Sequence, residues 1–88
     1  MQERRRAPRV RVLMPAKAVP SEGRAYPCLV RDISTLGARL EFPITAPIPD
    51  VFELAFDLAR TTRICRVAWR TNTQIGVEYQ GSYIGRAA

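Results

Sequence analysis

Two short clusters in this chain carry side chains that could recognise an anionic ligand. The first is Arg4-Arg5-Arg6-Ala7-Pro8-Arg9. Pro8 fixes its own backbone and biases Ala7 toward extended geometry, which disfavours a regular helix. An extended arm running into a strand can wrap a ligand while Arg9 is anchored by the sheet. The guanidinium forks of Arg5 and Arg9 suit phosphate oxygens or the O6/N7 edge of guanine. The second cluster is Asp32-Ile33-Ser34-Thr35-Leu36-Gly37. Asp32 could accept the ring and exocyclic N–H donors of guanine, and Ser34 could donate to phosphate or stabilise a turn. Gly37 permits a positive φ and close backbone approach. Taken singly, each cluster also has a plainer reading. The arm could be a basic tail with no particular contact, and the second cluster an ordinary Asp/Ser turn with a glycine exit.

Other chemistry is poorly supplied. The chain has no histidine, so the usual general base near neutral pH and most catalytic zinc sites are missing. Cys28 and Cys65 lie 37 positions apart, with no CxxC and no close-spaced metal pair. Each sits in an apolar stretch and is expected to pack in a core. No Walker loop or dinucleotide-binding glycine pattern occurs. The expectation is a binding protein without catalysis, metal or cofactor.

The elements that must position these clusters read as strands. Val10, Val12 and Met14 alternate with polar neighbours or Leu13, and Pro15, Pro20 and Gly23 interrupt the next stretch. Tyr26, Cys28 and Val30 alternate through Arg31; Ala38, Leu40 and Phe42 do so beyond Gly37. Pro43, Pro47 and Pro49 mark a loop. Residues 51–58 fit a strand through Phe52, Leu54, Phe56 and Leu58, or a helix capped by Asp50; short length and strand-like neighbours favour the strand. Cys65, Val67 and Trp69 form one face of a strand, which places Trp69 in the core and leaves Arg70 exposed. A turn near Thr71-Asn72-Thr73 leads to Ile75, Val77 and Tyr79, the clearest hairpin. Six short strands describe a small antiparallel barrel or sandwich.

With 88 residues, folding buries only roughly 64% of the extended chain's surface, enough for one domain and one core. Hydrophobic residues at 47% and charged residues at 25% argue against wholesale disorder. The net charge is +6, and residues 1–11 carry five arginines against Glu3. A nearly balanced domain therefore bears a basic arm, which favours anionic partners. Thirteen of the 14 basic residues are arginine, the planar fork suited to phosphates and base edges. No apolar run is long enough to span a membrane or serve as a signal peptide, so a cytoplasmic location is expected.

Together the two clusters make the chain resemble the PilZ domain family, bacterial receptor modules for cyclic di-GMP. Arg5-x-x-x-Arg9, preceded by Arg4, fills the family's RxxxR motif. Asp32-x-Ser34-x-x-Gly37 fills its [D/N]xSxxG motif. Val30-Arg31 leading in, Ala38 to Phe42 leading out, and the closing stretches Cys65–Arg70 and Ile75–Tyr79 are also similar. The resemblance covers roughly residues 3–80. It implies a basic arm over residues 1–9, flexible before binding, a six-stranded antiparallel β-barrel over 10–80, and a tail over 81–88. The family's usual C-terminal helix is expected to be little developed, given Gly85. The resemblance further implies that Arg5 and Arg9 grip phosphates and guanine edges. Asp32 would bond a guanine, Ser34 a phosphate, and Gly37 would let the backbone approach. Arg4 implies a stacked ligand dimer. A downstream protein partner would receive the signal. Two alternatives stand beside this reading: a PilZ-like protein-interaction module without ligand, and a small RNA-binding barrel. Few aromatics remain outside core-phase positions to stack bases, so nucleic acid is the less expected partner.

Overall fold

The alternating stretches fold as six strands in the structure, a computed structural model that describes residues 8–21 and 23–80. They are β1 (Val10–Val19), β2 (Tyr26–Ile33), β3 (Gly37–Glu41), β4 (Val51–Phe56), β5 (Thr61–Arg70) and β6 (Gln74–Tyr79). All neighbours pair antiparallel and close into a barrel in the order β1-β2-β3-β6-β5-β4. The expected six-stranded barrel is therefore the fold. No helix occurs among the described residues. The arm residues Arg4 and Arg5, the expected flexibility of the arm, and the character of the 81–88 tail lie outside them.

The barrel interior is filled by alternate residues of every strand. Val30, Leu40, Leu54 and Cys65 are the largest fully buried side chains. The β4 stretch settles as a strand: Phe52, Leu54 and Phe56 are buried while Val51 and Glu53 are exposed. Both cysteines are buried free thiols, as expected.

Pro15 does not interrupt β1, contrary to the sequence expectation. Its carbonyl accepts the Asp57 amide at 3.2 Å, so its missing N–H faces the β4 side. There the β1–β4 ladder begins only at Ala16↔Phe56, and no ladder bond is lost.

Two β-bulges matter most for function. Between Val30 and Asp32 the register of β2 against β3 slips, with Val30 opposite Leu40 and Asp32 opposite Arg39. The extra residue, Arg31, turns Asp32 off the inward phase of Cys28 and Val30 onto the outer face shared with Arg39. Between Val67 and Trp69 the same happens on β5, where Val67 faces Val77 and Trp69 faces Gly76. Ala68 is the added residue. Alternation places Trp69 in the core with Cys65 and Val67; instead it lies on the outer face, 39% exposed. Strict alternation fails here because one inserted residue inverts every side chain beyond it.

Candidate ligand-binding groove

Asp32 is the organising charge of the site. It is the one buried charged residue among the described ones, at 8% exposure. Its Oδ2 accepts from Arg39 Nε at 2.5 Å, and Arg9 Nη1 lies 3.9 Å from the same oxygen. Arg11, its register partner on β1, adds a third positive charge. The carboxyl is thereby held below its ordinary value of 3.8, chiefly by the Arg39 hydrogen bond. Burial works the other way, and the charges of Arg39, Arg9 and Arg11 reinforce the depression.

The turn from β2 to β3 is built by Ser34. Its Oγ accepts the Leu36 and Gly37 amides at 3.1 and 3.3 Å, and its own amide donates to the Gly37 carbonyl at 2.9 Å. With both acceptances filled, the hydroxyl proton is left to donate outward. Gly37 is required for space and not for conformation. Gly23 and Arg60 are the positive-φ residues among those described. A Cβ on Gly37 would instead overlap the Val77 backbone carbonyl on β6. The positive φ expected at Gly37 is thus replaced by close strand packing, because β3 already begins there.

Beside this turn opens a groove of about 280 Å³, lined by Arg9, Ser34, Leu36, Gly37, Trp69, Gly76 and Glu78 among others. The Trp69 indole lies across Gly76, where a Cβ would overlap its ring. Of the residues expected from sequence, Arg9, Ser34 and Gly37 line the groove. Asp32 stands behind it, braced between Arg9 and Arg39. Sequence reasoning missed Arg39, Trp69 and Glu78 as site residues. Gly76, a glycine inside a strand, was the available signal for the Trp69 approach. No local signal marked Glu78. Arg70 is partly exposed and holds the β3–β4 loop through the Ile48 carbonyl at 2.9 Å and Asp50 at 3.2 Å.

Arg9 and the Ser34–Gly37 turn thus meet around one groove. A PilZ domain model matches residues 3–83. The chain belongs to the PilZ family. PilZ domains are receptor and adaptor modules, generally for cyclic di-GMP, and are not enzymes. No curated protein matches the chain. Among the described residues, no group of three His, Cys, Asp or Glu is placed to hold a metal ion. Among them, no helix is long and apolar enough to cross a membrane.

Proposed function

We propose that this PilZ chain is a cyclic di-GMP receptor that closes its arginine arm over the groove and signals to a protein partner by that change. The observation that supports it most is the approach of Arg9 to Asp32 beside the Ser34–Gly37 turn. One arginine of the first motif is already held against the second. Arg5 and Arg9 would supply forks for phosphates and guanine O6/N7 edges. Ser34 would donate its free hydroxyl proton to a phosphate. Asp32 would hold the arginines in position and offer any remaining acceptor capacity to a guanine. The Trp69 indole provides a flat face on which one base can stack. Arg4, ahead of the motif, is consistent with uptake of a stacked ligand dimer.

Titration calorimetry tests this directly. Folded protein should take up cyclic di-GMP, and Arg9→Ala should weaken uptake by about a hundredfold, the scale of a lost bidentate charge-assisted contact. Circular dichroism of the variant should stay that of the barrel. No uptake by folded wild type would sink the proposal. Displacement of the nucleotide by unrelated RNA, with steep salt dependence, would favour the RNA-binding reading instead.

A further inference from the structure

Glu78 is out of place for a site that receives a dianion. It is exposed on β6 and lines the groove, and its carboxylate makes no hydrogen bond or ion pair among the described residues. Arg66, its register partner on β5, is turned to Gln80, with Nε 3.5 Å from Oε1. An unpaired carboxylate facing phosphates costs electrostatic energy, unless it accepts hydrogen bonds from another part of the ligand. We infer that Glu78 reads the Watson–Crick edge of one guanine and sets the base specificity of the groove. This rests on the receptor reading above.

The placement supports it. Glu78 lies two residues beyond Gly76 on the same outer face of β6, roughly 7 Å along the strand. The Trp69 indole covers Gly76, so a base stacked on that ring turns an edge toward Glu78. Across the ladder Glu78 faces Gly37, at the end of the Ser34 turn that lines the same groove. Asp32, with its Oδ2 engaged by Arg39 and its side chain nearly closed off, has at most one oxygen to offer a guanine, whereas both Glu78 oxygens are unengaged. Guanine presents adjacent N1–H and N2–H donors, which match the two oxygens of one carboxylate. Adenine presents an acceptor at N1 and is repelled there.

Calorimetry with cyclic di-GMP and cyclic di-AMP on wild type, Glu78→Ala and Glu78→Gln tests the inference. Glu78→Ala should lower cyclic di-GMP affinity about ten- to hundredfold, the discrimination of one good bidentate base contact. Cyclic di-AMP affinity should not fall. Glu78→Gln offers a donor and an acceptor to adenine, so it should narrow the preference from both sides. Unchanged or tighter cyclic di-GMP binding in Glu78→Ala would overturn the inference while leaving the receptor reading intact. So would a parallel loss of both ligands. Wild type that takes up no cyclic di-GMP overturns both.

Discussion

At the scale of single residues, two roles open to the carboxylate of Asp32 are easily conflated. A free acceptor would be a ligand contact, whereas one gripped by Arg39 and approached by Arg9 is a brace for the arginines around it. Its depressed pKa makes this brace visible in stability. As pH falls, the unfolded chain takes up a proton at the ordinary value, 3.8, before the folded one does. The stabilisation is therefore complete above that value and lost as pH drops through the lower, folded one. Asp32→Asn should cost about 1.5–3 kcal/mol at neutral pH, the range for hydrogen bonds to charged groups. The gap between variant and wild type should close in acid below the folded value. Urea titrations at several pH values check this; a gap independent of pH would show that the charge is not what stabilises.

At the scale of elements, two glycines hold the groove open for different reasons. Gly37 packs against the β6 backbone at Val77, and Gly76 lies under the Trp69 ring. Backbone cannot move without shifting a strand, while an indole can rotate away. Gly37→Ala should thus destabilise by about 1–3 kcal/mol, the usual cost of overpacking. Gly76→Ala should cost less stability yet displace Trp69 and weaken cyclic di-GMP binding. Trp69 is the sole tryptophan, so fluorescence reports its displacement alongside the thermal melts. Equal losses of stability in the two variants would contradict this division.

Strand identity was largely legible in the residues. The alternation of Phe52, Leu54 and Phe56, or of Ile75 and Val77, needs only local backbone geometry and an apolar interior. The turn at Ser34 and Gly37 was legible because a turn and a tight exit demand those types at that spacing. Arg39 was not, since its partnership with Asp32 depends on which residue of β3 faces which residue of β2. Trp69 escapes for a related reason: the alternation Cys65, Val67, Trp69 contains no mark of the bulge at Ala68.

At the scale of the whole molecule, the closed barrel leaves none of its six strands with an unpaired edge. Its centre is dry enough that burial pushes the thiols of Cys28 and Cys65 up to about 12. Neither forms thiolate at neutral pH while the barrel is closed. Both should resist alkylation in the folded protein and react only as fast as the barrel opens globally. Labelling with increasing urea, read by mass spectrometry, checks it. Rapid modification of either thiol in native buffer would mean that the barrel opens locally.

The sequence by itself determined that this is a small all-β domain with an arginine arm and an Asp-x-Ser-x-x-Gly turn, because turn chemistry, alternation and charge are local properties. Only the tertiary structure decided what those residues face. Bulges at Arg31 and Ala68 invert the strands' phase and bring Asp32 and Trp69 to the outer face. The β3–β6 pairing sets Glu78 opposite Gly37, and the bulged β2–β3 hairpin sets Arg39 opposite Asp32. Strand register is fixed by pairing across the sheet, and neither strand of a pair carries it alone.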